Sequence, residues 1–330
     1  MKPVLAVERL TVNLATPARA FDALSEVSFE VRAREVLALV GESGCGKSMT
    51  AMAIMRLLPE PVAEIAGGHI RFGGIDLATA DEAALREIRG NRIGLIFQEP
   101  MTSLNPSMRV GPQVAEALRL HKGLDAAQAR RTVEELFAQV RIPDPQRRYD
   151  DYPHQMSGGM RQRVVIALAL ACRPDLLIAD EPTTALDVTT QAQILDTIRA
   201  LQAETGTAMI LITHDLAVVA ETADRVAVMY AGRIVEEASA EALFAAPRHP
   251  YTQGLMGSIP EVVAPEDIDR DARLPEIAGM VPALWDLPPG CAFAPRCKYR
   301  DGKCDTARPP LETAGDGRRV ACWHPLAGPA

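Results

Sequence analysis

The chain has 330 residues, 48% of them apolar and 24% charged, with a formal net charge of −8. That length exceeds one compact core of typical size and asks for a large domain with an appendage, or for two domains. The acidic balance and the lack of any long basic run argue against nucleic acid as a partner, because phosphate backbones need clustered Lys and Arg. No apolar run approaches the ~20 residues of a membrane helix.

Met1-Lys2-Pro3-Val4-Leu5 lacks the long apolar core of a signal peptide, so the chain is expected in the cytoplasm, reaching a membrane only through a partner. Val4–Val7 and Val27–Val31 read as strands. Val36–Val40 is a short apolar run that ends at Gly41, as a buried strand would. There begins Gly41-Glu42-Ser43-Gly44-Cys45-Gly46-Lys47-Ser48, which fits G-x-x-x-x-G-K-[ST] at every fixed position. Its glycines let the backbone turn successive N–H groups toward a β-phosphate, Lys47 adds a charge between β- and γ-phosphates, and Ser48 can ligate Mg²⁺. Ser48–Leu58 reads as the helix whose positive end completes such a site.

Gly94–Gln98 reads as another strand, with Gln98 placed to touch both Mg²⁺ and a water. A helical insert is expected over about 106–156: Asp125 suits an N-cap, and Val133, Leu136, Phe137 and Val140 share one face. Ser157-Gly158-Gly159-Met160-Arg161-Gln162 opens the apolar run Val164–Cys172, expected as a buried helix. Its serine and glycines suit either plain helix capping or a second phosphate site. Leu176–Ala179 is a short strand running into Asp180 and Glu181. Strand ends are where ligands sit in such sheets. Asp180 there can orient a Mg²⁺ shell and Glu181 can polarise water, unless the pair merely starts a turn before Pro182.

A helix is expected over Gln191–Gln202 and a strand over Met209–Ile212. His214 follows, as a γ-phosphate contact or as a lone structural histidine. This alternation predicts an α/β fold with a mostly parallel sheet. Val226–Tyr230 and Arg233–Glu237 read as an edge hairpin. From Pro247 onward prolines crowd in, and such a loop-rich appendage needs a staple. Cys291, Cys297, Cys304 and Cys322 lie there; in a reducing compartment they suit a metal better than disulfides. Cys45 and Cys172 read as incidental small residues.

Over about residues 1–245 these elements resemble the ABC ATPase family. Ser157–Arg163, Phe97–Pro106, Tyr152-Pro153-His154-Gln155 and His249-Pro250-Tyr251-Thr252 are similar to the oligopeptide and dipeptide permease ATPase subunits. The resemblance implies a P-loop (RecA-like) nucleotide-binding domain at 1–246, with the helical insert and an antiparallel β subdomain, and a C-terminal extension at 247–330. It implies ATP and Mg²⁺ as ligands. Gly41–Ser48 and Met49 would hold phosphates, with Mg²⁺ at Ser48, Gln98 and Asp180. Ser157, Gly158 and Gly159 would form the signature, Glu181 the base, and His214 the switch. Ala185-Leu186-Asp187 would cross a head-to-tail dimer with a second ABC ATPase subunit, a copy or a homologue. Two transmembrane permeases and an extracytoplasmic binding protein would complete an importer at the inner face of the plasma membrane.

Two departures stand out. Met160 replaces the usual Gln. Val12-Asn13-Leu14 offers no aromatic residue to stack on adenine, leaving Phe21 as the candidate. The four cysteines follow a pattern associated in some members with a [4Fe–4S] cluster, whose ligand count they match, and lack the C-x₂-C pairs usual for Zn²⁺. Cluster, zinc and no metal stay open, as do dipeptide, longer peptide, nickel or glutathione as cargo. Non-transport ABC ATPases are the other class. The DNA-associated kind carries long coiled coils, for which no sustained heptad is present, and the translation kind holds two cassettes in one chain.

Overall fold

Two long strands open the chain, β1 (Leu5–Ala15) and β2 (Ala20–Val31), with Leu5 opposite Val31 and Ala15 opposite Ala20. The structure is a computed structural model that describes residues 2–97, 103–183, 187–258 and 276–327. After β2 come β3 (Val36–Val40), buried throughout, and α1 (Lys47–Ile54). α1 ends earlier than its apolar composition suggests, and Arg56 just beyond has left-handed backbone. β4 (Ala63–Phe72) and β5 (Ile75–Asp76) complete a four-stranded antiparallel sheet in the order β2-β1-β4-β5. α2 (Glu82–Ile88), capped by the Asp81 carboxylate accepting from the Ala84 N–H, leads to β6 (Ile93–Ile96).

The helical insert follows as α3 (Val110–Lys122) and α4 (Ala126–Gln139). Asp125 and Gln128 form a reciprocal capping box at the start of α4. Ala129, Val133 and Phe137 are its buried stripe, and burying each large side chain stabilises by roughly 1.5–3 kcal/mol. A short α5 (Pro145–Arg148) precedes α6 (Gly158–Leu170), which is buried on nearly every side from Gln162 onward. Then come β7 (Leu176–Asp180), α7 (Val188–Thr205), β8 (Ala208–Ile212), α8 (Leu216–Thr222), β9 (Arg225–Tyr230) and β10 (Arg233–Ser239). β6, β7, β8, β3 and β9 lie side by side and parallel.

The hairpin β9–β10 is not at the sheet's edge. β9 pairs with β3, and beyond β10 lie β12 (Arg319–Val320) and β11 (Glu312–Thr313) from the C-terminal extension. Arg319 donates to the Glu237 carboxylate at 2.8 Å, and the Ala321 N–H reaches the Val235 carbonyl at 2.8 Å. Two-residue strands carry no readable alternation, which is why composition gave no sign of them.

After α9 (Ala240–Ala245), the extension, with α10 (Pro250–Gly257) and α11 (Gly302–Thr306), packs on the sheet through aromatic rings. Tyr230 lies 4.6 Å from Tyr251 and 5.3 Å from Phe293, centroid to centroid. His249 is buried beside them, and its Nδ1 accepts the Tyr251 N–H at 3.0 Å. Burial pushes its imidazole from 6.5 down to about 3. The unfolded chain therefore takes up a proton below about 6.5 that the native state refuses until about 3, so stability falls as pH drops through that window. Burial pushes the nearby Glu236 carboxyl up, which works in the opposite sense. In His249→Asn, unfolding free energies from urea titrations between pH 7 and 5 are expected to vary less steeply than in the wild type, by at most ~1.4 kcal/mol per pH unit. Equal slopes would show that His249 is not the group responsible.

Candidate functional site

The carboxyl ends of β3, β7 and β8 gather the site residues on one side of the parallel sheet. Gly41 leaves β3 at φ 150, and a Cβ there would lie 2.2 Å from the Met229 carbonyl oxygen. At Gly46, φ 108, a Cβ would lie 2.6 Å from Leu24. Close approach of the β9 backbone at Gly41 and the left-handed backbone at Gly46 thus call for glycine at both positions. Lys47, buried at the start of α1, donates from Nζ to the carbonyls of Gly41 at 2.8 Å and Glu42 at 3.1 Å. Its ammonium is folded back over the loop's own backbone. Cys45 is buried beneath, its thiol pushed up by burial.

Asp180 ends β7 opposite Ile212 of β8. Its carboxyl is raised above the usual range by burial and by the Glu181 charge, while the neighbouring Ser48 hydroxyl and the Lys47 charge oppose that. Among the described residues Oδ1 of Asp180 is buried with no hydrogen-bond partner. A buried acceptor without a partner beside a serine hydroxyl is what a cation completes. Glu181 has left-handed backbone, φ 46, fixed by its N–H donating to the Ile212 carbonyl at 2.9 Å. The turn aims its side chain back across the strand ends, where Oε1 lies 3.2 Å from Nδ1 of His214. His214 is largely exposed, Glu181 mostly buried.

Ser157 caps α6, its hydroxyl accepting the Met160 N–H at 3.3 Å. A Cβ on Gly158 would meet nothing within 4 Å. α6 packs with α3, α4 and α7, whereas the phosphate loop packs with β2 and β9, so the two glycine-rich segments belong to different layers. One tie joins the signature helix to the carboxylates: Gln162, fully buried, donates to the Pro182 carbonyl at 2.5 Å. Gln98, Ala185 and Leu186 lie outside the described residues. Asp187 caps α7, accepting the Thr190 N–H at 2.9 Å.

Sequence reasoning missed what the extension brings. Phe21 meets Trp285 edge-on, centroids 5.7 Å apart, and the Arg19 guanidinium lies 5.5 Å from the Trp285 ring. Phe21 and Trp285 border a cavity of about 260 Å³ between β2, the β9–β10 hairpin and the extension. Farther along, Cys291, Cys297, Cys304 and Cys322 all line one small cavity of about 10 Å³. All four are free thiols. Burial pushes Cys322 up to about 11 and raises Cys291 and Cys304, with their mutual proximity adding to it. A bound cation would reverse those shifts. Asp301 and His324, which pair at 2.8 Å, bring their ligand atoms within 4.8 Å of Cys304. The Cys322-Trp323-His324 spacing was the available signal for the histidine.

Comparison with known proteins agrees with this geometry. A family model described as ABC transporter matches residues 24–184, and one described as oligopeptide/dipeptide transporter, C-terminal region, matches residues 235–304. A probable peptide ABC transporter ATP-binding protein, y4tR of Sinorhizobium fredii, is 54% identical over 92% of this chain and 89% of its own. The dipeptide transport ATP-binding protein DppD of Bacillus subtilis is 49% identical over 98% of this chain and 95% of its own. Among solved structures, the dimeric post-hydrolysis state of the ATP-binding cassette MJ0796 bound to ADP and Pi superposes with TM-score 0.65 at 26% identity, covering 72% of this chain and 98% of that one.

Proposed function

The chain belongs to the ABC transporter ATP-binding family, and from that premise we propose that it hydrolyses ATP to drive a peptide importer. The observation that carries this reading is the convergence of Lys47, Asp180, Glu181 and His214 at adjoining strand ends. Triphosphate occupies the loop Gly41–Ser48 and the N-terminus of α1, where Lys47 swings from its carbonyls to the β- and γ-oxygens. Ser48 and the unpartnered Asp180 oxygen suit Mg²⁺, with Gln98 assigned by motif. When bound, the ion offsets charge on the β- and γ-phosphates. Glu181 accepts a proton from water as that water's oxygen bonds to the γ-phosphorus. The bond to the bridging oxygen breaks and ADP leaves with its electron pair. His214 steadies the Glu181 carboxylate and faces the γ-phosphate.

Ser157–Gly159 serves a second chain's nucleotide. The separation of α6 from the phosphate loop supports that reading, as does a relative solved as a dimer. We assign catalysis to residues 1–246, with the insert at about 106–156 touching the permeases, and a supporting role to 247–330. Among the described residues no helix is long and apolar enough to cross a membrane. We assign the hold on the inner face of the plasma membrane to two permease subunits, and delivery of cargo to a binding protein, on the likeness to peptide-transporter ATP-binding proteins. The four thiols fit the ligand count of a [4Fe–4S] cluster, with a single Zn²⁺ as the alternative.

Co-expression and co-purification with candidate permease subunits, followed by ATPase assay in vesicles, tests the whole. Peptide-loaded binding protein is expected to stimulate turnover. Stimulation by nickel or glutathione alone would reassign the cargo, and no turnover with any of them would overturn the transport reading. Iron, acid-labile sulfide and zinc measured on the same anaerobic preparation decide the metal.

A further inference from the structure

The phosphate loop is gripped from outside by the C-terminal extension. Glu42, its second residue, is held at three points. Its N–H donates to the Tyr251 hydroxyl at 2.8 Å. Its carboxylate takes a bidentate fork from Arg296, Nη1 to Oε2 at 2.7 Å and Nη2 to Oε1 at 3.0 Å. Its carbonyl accepts from Lys47 Nζ at 3.1 Å and from the Cys45 N–H at 3.3 Å. Whatever fixes Glu42 therefore fixes one of the two carbonyls on which Lys47 rests, the other being that of Gly41.

Arg296 is built for that task. Its side chain is only 3% exposed. Nε donates to the Ala278 carbonyl at 3.1 Å, Nη2 also to the Ile277 carbonyl at 3.0 Å, and Nη1 also to the Tyr230 hydroxyl at 3.4 Å. A rigid fork saturated on all sides positions a carboxylate far better than a flexible ammonium. It also neutralises a negative charge standing at the mouth of a site for a polyanion. Tyr251 and Arg296 come from His249-Pro250-Tyr251-Thr252 and Arg296-Cys297, two motifs that the hydrolytic mechanism leaves unused. Arg296 directly precedes one of the four clustered cysteines.

We propose that the C-terminal extension braces the phosphate loop, with Arg296 as the positioning residue that holds and neutralises Glu42 so that nucleotide can bind. The proposal rests on the ATPase reading above. Apparent affinity scales with the fraction of molecules whose loop is competent, so loosening nine loops in ten weakens nucleotide about tenfold.

The test uses the full chain and a fluorescent ATP analogue with Mg²⁺. Arg296→Met is expected to weaken binding by about tenfold or more, with KM for ATP rising more than kcat falls. Because part of the loss comes from an unneutralised carboxylate, adding Glu42→Gln is expected to restore part of the affinity; a residue that only held the fold together would show no such rescue. Tyr251→Phe removes one hydroxyl, keeps the packing, and is expected to weaken binding severalfold even if Arg296→Met does not fold. A wild-type chain that binds no nucleotide overturns the ATPase reading itself. Wild-type affinity in both single variants, or a double variant no better than Arg296→Met at unchanged thermal stability, overturns the brace alone.

Discussion

Glu181→Gln is expected to cut ATP turnover by ~10²–10⁴-fold while nucleotide still binds. The amide keeps the shape and can still accept from His214, so the fold and the loop that holds phosphate are untouched. What it loses is the capacity to take a proton as water attacks. The backbone explains why no neighbour replaces it. Glu181 sits in left-handed backbone held by the Ile212 carbonyl, which aims its side chain across the strand ends. Asp180, one residue earlier, points into the buried site where burial raises its carboxyl and Ser48 adjoins it. His214→Ala is expected to lose less, because it removes the residue that steadies the carboxylate and leaves the carboxylate itself. Phosphate release at saturating ATP gives the rates, and a fluorescent nucleotide gives the affinity. Turnover in Glu181→Gln near the wild-type rate would remove the general base from this account.

How much of this was legible depended on the range of the interactions involved. The strand β3, the glycine loop and α1 are contiguous, so one short stretch carries both the motif and its context. α4 was readable because an N-cap aspartate and a 3, 4, 7 stripe are local signals, and the capping box with Gln128 came only with the structure. β4, β5 and α2 went unread. Within β4, Gly67 and Gly68 interrupt the alternation of buried and exposed positions, and α2 is only seven residues long. The hairpin β9–β10 read as an edge because β11 and β12 are too short to show any pattern and join from the far end of the chain. The Arg296–Glu42 fork spans 254 residues; neither residue has a neighbour in sequence that announces the other. Phe21 read only as a candidate to stack on adenine, since its partner Trp285 arrives only through folding. Chemistry at strand ends was thus readable, and the packing of the extension against it was not.

A single substitution on the signature helix is expected to abolish most turnover although it lies outside the loop that holds the phosphates. Gly158 suits the test because a Cβ there meets nothing within 4 Å, so a side chain can start from that position without a clash at Cβ. It sits in the first turn of α6, where N–H groups and the helix dipole favour an anion. Gly158→Glu puts a carboxylate where the γ-phosphate of the facing chain is proposed to dock. Repulsion between like charges at a shared site is expected to reduce ATPase by ~10²-fold or more, with nucleotide affinity of the isolated chain unchanged. Helix capping alone predicts otherwise, because Ser157 still caps α6 and turnover would persist. Mixing supplies the decisive arm. Lys47→Ala spoils the phosphate loop and keeps the signature, while Gly158→Glu does the reverse. Each is expected to be nearly inactive alone. Their mixed dimer contains one complete site, made from the loop of the Gly158→Glu chain and the signature of the Lys47→Ala chain. Activity is therefore expected to reappear on mixing and to peak near equal proportions. Failure to recover while mixed dimers demonstrably form would show either that each chain completes its own site or that both sites must be intact together. A monomer held apart by dilution separates these outcomes: turnover there at the full rate means that each chain works alone, and silence there means that the two sites fire only as a pair.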